Sequence, residues 1–129
     1  MPVTAGQRTQ EISQRDQYAK GGVGRWYWDF RDRAAIREII RTPVLDAGCG
    51  EGVTLERLVA RFGERQVAGV DVDPANVAIC RSRNLPVSAG SVYDLPFDSG
   101  AFGTVLLAEV IEHLDDPERA MKELCRVTT

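Results

Sequence analysis

At 129 residues, with 43% hydrophobic and 27% charged residues, the chain has the size and composition of one domain able to bury a single core. A formal charge of −3 without any basic run argues against a nucleic-acid partner, and no apolar run reaches membrane-spanning length. Three cysteines without CxxC spacing and a single histidine argue against a disulfide framework and against a metal site, and make the cytoplasm the expected compartment.

Residues 1–24 read as a polar lead-in that ends in a glycine joint, Gly21, Gly22 and Gly24, with the domain itself expected over 25–129. Trp26, Tyr27, Trp28 and Phe30 follow at once. Tyr18 with Trp26, Tyr27 and Trp28 fits either a lid that excludes water or plain packing of the first helix on a sheet. Ile36, Ile39 and Ile40 recur at i, i+3, i+4 and predict a helix over about 31–41, stopped by Thr42-Pro43.

A short apolar strand over 44–47 then runs into "GCGEG", residues 48–52. Leu55, Leu58, Val59 and Phe62 share one helical face, closed by Gly63. Residues 67–70 predict a second strand that ends on Asp71. Asp73-Pro74 predicts a helix cap and first turn. A third short strand is expected over 86–89. A fourth is expected over 102–108, its centre "VLLA" continuously apolar, as in a strand covered on both faces. Asp116-Pro117 opens a last helix with Ala120, Leu124 and Val127 on its buried side. Strands alternating with helices imply an open α/β fold, with a mainly parallel Rossmann-like sheet and helices on both faces.

In such folds a ligand sits beyond the carboxyl ends of the strands. A glycine loop there lets the ligand press on bare backbone. Phosphate fits poorly: Val53-Thr54 stands where a P-loop has Lys-Ser or Lys-Thr, and Asp46 and Glu51 would repel it. Asp71, at the end of the second strand, suits the two hydroxyls of a ribose. Its alternative reading is a turn cap. A ribose without phosphate, beside carboxylates, points to a positively charged nucleoside such as S-adenosylmethionine, whose ammonium group Asp46 can face.

"VLDAGCGEG", "GVDVDP" and "GSVYDLPFDSGAFGTVLLAEVIEHLDDPERAMKELCRV" occur in that order and cover roughly residues 44–127. The chain resembles a class I S-adenosylmethionine-dependent methyltransferase of the small-molecule type. The resemblance implies that Asp46, Gly48, Cys49 and Gly50 hold the methionine end of the cofactor. It implies that Asp71 clamps the ribose, that Val72 packs on the adenine, and that Ser91 and Val92 line its edge. Ala108 would lie under the sulfonium. Glu109 and His113 would face the methyl acceptor, a small molecule, as the candidate catalytic residues. Each has a plainer reading: a solvated or helix-capping carboxylate for Glu109, a packing or hydrogen-bonding residue for His113.

Two local departures stand out. Ser91 occupies a place where the family often has an acid, and Phe102-Gly103 stands for the usual Phe-Asp. The family's sheet has seven strands, whereas four are found here, so the chain is expected to be truncated after the fourth. In the family's strand order that strand would be an edge, an apolar surface suited to pairing with a second copy in a homodimer. A non-catalytic S-adenosylmethionine-binding domain, its activity dependent on missing strands or a partner, is the alternative function. A nicotinamide-dependent dehydrogenase domain is disfavoured by the GxGxG spacing.

Overall fold

The computed structural model describes residues 13–107 and 111–129. Its elements in chain order are α1 (Gln14–Lys20), α2 (Gly22–Arg37), β1 (Val44–Ala47), α3 (Val53–Phe62), β2 (Val67–Asp71), α4 (Pro74–Ser82), β3 (Val87–Ala89), β4 (Thr104–Leu106) and α5 (Pro117–Val127). Short 3-10 turns lie at Glu64–Gln66 and Ile111–His113. The four strands form one sheet in the order β3-β2-β1-β4, with every pairing parallel. The expected open parallel α/β sheet is what forms, with β4 at one edge.

Alternation along β1 sorts the two layers, because successive strand side chains point to opposite faces. Val44 joins one core with Cys49, Leu55, Leu58, Val67, Cys80 and Leu85, beneath α3 and α4. Leu45 and Ala47 join the other, with Val70, Leu95, Phe102, Leu124 and Val127, beneath α5. All four β1 residues are buried, as befits a strand covered on both faces. Asp46 therefore lies on the Val44 side, toward α3.

Gly69 in β2 permits the close seat of α3. A Cβ there would come within 2.6 Å of Leu55 Cδ2. Gly52 is nearly as tight, and its backbone adds a second constraint. It caps α3 in the left-handed region (φ 83°), and a Cβ would sit 2.7 Å from Leu85 Cδ1 and 2.8 Å from Cys80 Sγ. Gly52→Ala is expected to destabilise the fold by about 2–4 kcal/mol, combining backbone strain with overpacking. Urea denaturation checks this through a lower midpoint at unchanged m-value.

The N-terminal helices depart from the sequence reading. The first long helix starts at Gly22, not near residue 31, and ends at Arg37, which leaves Ile40 88% exposed. Gly21 and Gly22 take φ of 71° and separate α1 from α2, while Gly24 lies inside α2. Polar pairs over long sequence distance set this arrangement. Asp32, 1% exposed, accepts hydrogen bonds from Thr54 Oγ1 and from the guanidinium groups of Arg31 and Arg57. Arg57 also pairs with Asp29. Helix α2 is thus fastened to α3 through buried charge, a signal that apolar periodicity does not carry.

Candidate functional site

The site forms where β1 and β2 end side by side. Their register pairs Asp46 with Gly69 and Ala47 with Val70, so Asp46 lies one residue before the end of β1 while Asp71 closes the adjacent β2. The chain after β1 turns back on β2: the N–H groups of Gly48 and Cys49 both donate to the Val70 carbonyl, at 2.8 and 3.0 Å. Gly50, at φ 56°, points its N–H at Asp71 Oδ2, 2.8 Å away. The other Asp71 oxygen accepts from the Asp73 N–H at 2.9 Å and from Asn76 Nδ2 at 3.3 Å. Asp71 therefore organises the glycine loop and the entry to α4. Asp73 caps α4 as expected, accepting from the Ala75 N–H.

Asp46 is 3% exposed, and its Oδ2 has no hydrogen-bond partner among the described residues. Burial, and after it the negative charge of Asp32, push its carboxyl up to about 7, against the opposing pull of Arg31. A buried carboxylate oxygen without a donor is costly in this setting. It is suited to an external cation or donor.

Two cavities flank the glycine loop and share Gly48 and His113 as a common border. The first, about 250 Å³, has Asp46, Arg31, Trp28, Thr54 and Gln14 in its wall. The second, about 310 Å³, is bounded by Asp71, Val72, Ser91, Val92 and Tyr93. Together they make a two-lobed trough across the carboxyl ends of the strands, the place expected for a ligand in an open α/β sheet.

Residues 45–129 match the protein-family model for a methyltransferase domain. The chain belongs to the class I S-adenosylmethionine-dependent methyltransferases. A probable S-adenosylmethionine-dependent methyltransferase of Mycobacterium tuberculosis is 41% identical over 107 residues, which cover 78% of this chain and 38% of that protein. Ajmaline N-methyltransferase of Rauvolfia serpentina is 32% identical over 92 residues, covering 65% of this chain and 31% of the relative. Among solved structures, a methyltransferase of Thermotoga maritima, described as a possible histamine N-methyltransferase, superposes with a TM-score of 0.67 at 26% identity. That match covers 81% of this chain and 51% of that one. The chain thus spans well under half of these curated relatives and about half of that structure.

Within this methyltransferase domain the structure gathers most of the sequence-identified residues around the trough. Gly48 and Cys49 border the first lobe, while Gly50 acts through Asp71. Val72, an apolar side chain, is 75% exposed at the rim of the second lobe. Ser91 Oγ accepts from the Tyr93 N–H at 3.1 Å, so its hydroxyl helps shape its own loop. That loop is pinned from α5: Leu95 N–H donates to Glu123 at 2.8 Å, and Asp116 N–H donates to the Tyr93 phenol at 3.1 Å. Tyr93 is a loop anchor. His113 stands at the shared border with its side chain 77% exposed, 3.6 Å from Glu112. Ala108 and Glu109 lie outside the described residues.

Glu51 leaves the site altogether. Its carboxylate accepts from Ser13 Oγ at 2.7 Å and from the Arg15 N–H at 3.0 Å, at the start of α1. The charge that the sequence sets beside the glycines is spent on docking that helix. Sequence reasoning missed Arg31, which stacks over Trp28 at 4.3 Å and enters the wall of the Asp46 lobe. The i, i+3 spacing of Trp28 and Arg31 was the available signal. The aromatic cluster divides: Trp28 borders the cavity, while Trp26 and Phe30 stack on each other, 66% and 63% exposed.

Proposed function

We propose that this chain is the cofactor-holding part of an S-adenosylmethionine-dependent methyltransferase that methylates a small molecule. The observation that carries the reading is the buried Asp46 oxygen without a donor, set in a cavity whose wall also holds Arg31. Opposite charges on one small cavity suit an amino-acid end, its ammonium group toward Asp46 and its carboxylate toward Arg31. Asp71 would take the ribose hydroxyls, and the 3.3 Å contact from Asn76 is the weakest of its present bonds and the easiest to replace. Val72 and Val92 would face the adenine, with Ser91 at its edge. When bound, S-adenosylmethionine supplies a sulfonium methyl group. The chain's own work is to orient, and to exclude water. Of the two catalytic candidates, His113 lies at the border between the lobes, within reach of a molecule approaching from solvent, while Glu109 is retained from the sequence pattern alone.

Among the described residues β4 pairs in the sheet with β1, while Phe102 just before it bridges to Thr128; the remainder of that edge is the surface to which a second copy would add. A cytoplasmic location agrees with the three free cysteines. No helix among the described residues is long and apolar enough to cross a membrane.

Calorimetric titration of the folded chain with S-adenosylmethionine tests the reading. Micromolar, saturable binding with one site per chain is the expected result. A folded chain that gives no heat with S-adenosylmethionine but binds a nicotinamide dinucleotide would overturn it.

A further inference from the structure

Behind the glycine loop lie two thiols that the proposed reaction does not use. Cys49 follows β1 and Cys80 stands near the end of α4, and both are buried. Their sulfurs converge on one atom, the carbonyl oxygen of Gly50, at 3.8 Å from Cys49 and 3.4 Å from Cys80.

The neighbourhood is polarised. A Cβ on Gly52 would lie 2.8 Å from Cys80 Sγ and 3.4 Å from Arg15 Nη2, so sulfur and guanidinium are neighbours across that glycine. Arg15 Nη2 is itself buried without a hydrogen-bond partner among the described residues. A thiolate at Cys80 would satisfy it. The thiol of Cys49 beside it, and after that the Arg15 charge, hold the Cys80 thiol below its ordinary range, and the Cys80 sulfur with burial holds Cys49 far above. Cys80 is therefore the more acidic thiol of the pair. Access comes from the first lobe of the trough, whose wall includes Cys49.

We propose that Cys49 and Cys80 are a redox-active dithiol whose oxidation to a disulfide reshapes the glycine loop. The oxidant is a peroxide, small enough to enter the lobe. Cys49, the thiol in the lobe wall, attacks one peroxide oxygen, the O–O bond breaks, and the departing hydroxide takes the thiol proton and leaves as water, giving a sulfenic acid. Cys80, the more acidic of the two, gives up its proton and attacks the Cys49 sulfur. The S–S bond forms and the sulfenic oxygen departs as water. In sum, two thiols lose two protons and two electrons, and hydrogen peroxide becomes two waters. A disulfide fixes the sulfurs about 2.05 Å apart and removes the S–H donors that the Gly50 carbonyl now accepts from. The Gly50 N–H that holds Asp71 then moves with the loop.

The test uses the folded chain with Cys125, the exposed cysteine, alkylated first. Hydrogen peroxide is added, then the chain is unfolded without reductant, alkylated again and digested. The expected result is a linked peptide pair joining Cys49 to Cys80, with about 2 Da lost from the intact chain, reversed by dithiothreitol. Recovery of both cysteines alkylated, or as separate sulfinic acids, overturns the proposal. A second readout rests on the cofactor reading given above: oxidised chain is expected to bind S-adenosylmethionine at least tenfold more weakly, restored on reduction. If the linked peptides form and reduced chain never binds the cofactor, that reading fails while the dithiol stands. If they form and affinity is unchanged, the effect on the loop is refuted.

Discussion

Replacing Asp46 with asparagine is expected to stabilise the chain at alkaline pH and to abolish its hold on S-adenosylmethionine. The folded-state carboxyl titrates at about 7, raised from 3.8, chiefly because it is buried. Between those values the unfolded chain has lost the proton that the folded chain keeps. Stability is therefore fully present below about pH 4 and is lost as pH rises through 7. At 1.36 kcal/mol per unit, the loss by pH 8 is on the order of 4 kcal/mol. Asparagine has no proton to lose. Urea melts of the wild type and Asp46→Asn should converge near pH 4 and separate by a few kcal/mol at pH 8, with the variant the more stable. Equal pH slopes would refute the burial argument. Cofactor binding should run the other way. An ammonium group pairs with the ionised carboxylate, so wild-type affinity should fall about tenfold per unit below pH 7, with proton release seen in calorimetry across buffers of differing ionisation enthalpy. The variant should bind at least ~100-fold more weakly at pH 8 and show no such slope.

Asp71→Ala is expected to cost both fold and ligand. Three donors lose their acceptor: Gly50 N–H, Asp73 N–H and Asn76 Nδ2. Leaving the Gly50 N–H unsatisfied at a partly buried loop should lower stability by about 1–3 kcal/mol. Loss of two charge-assisted bonds to a ribose should weaken S-adenosylmethionine by ~100-fold or more. Asp71→Asn separates the two effects. It keeps one acceptor and the side-chain shape, so its denaturation midpoint should stay near wild type while affinity still falls by more than tenfold. A variant pair that loses stability together yet binds like wild type would make Asp71 a turn residue and nothing more.

The strand-to-loop junctions were legible in the sequence because they are written in local signals. Val44 to Ala47 ran straight into Gly48. Asp71 closed its strand, and Asp73-Pro74 and Asp116-Pro117 announced helices that begin where the backbone needs a side-chain acceptor. The order of these signals was enough for a parallel α/β sheet, and the family followed from the resemblance carried by the three motifs in their order. Strand four was overextended: 102–108 was expected, and Thr104–Leu106 pairs with β1. Apolar content reports burial, whereas pairing length depends on where the neighbour ends.

Chain order and short-range chemistry thus decided the topology, the glycine loop and the place of Asp46 and Asp71 at strand ends. The folded chain alone decided how the charges around them are used. Glu51 turned out to anchor α1 through Ser13 and Arg15, 38 and 36 positions away in sequence, and Arg31 came to the wall of the Asp46 lobe beside Trp28. Cys49 and Cys80 met at the Gly50 carbonyl from separate elements. Hydrogen bonds and ion pairs act over a few ångströms in space and leave no period in the sequence, so partners tens of residues apart become visible only once the sheet has brought them together.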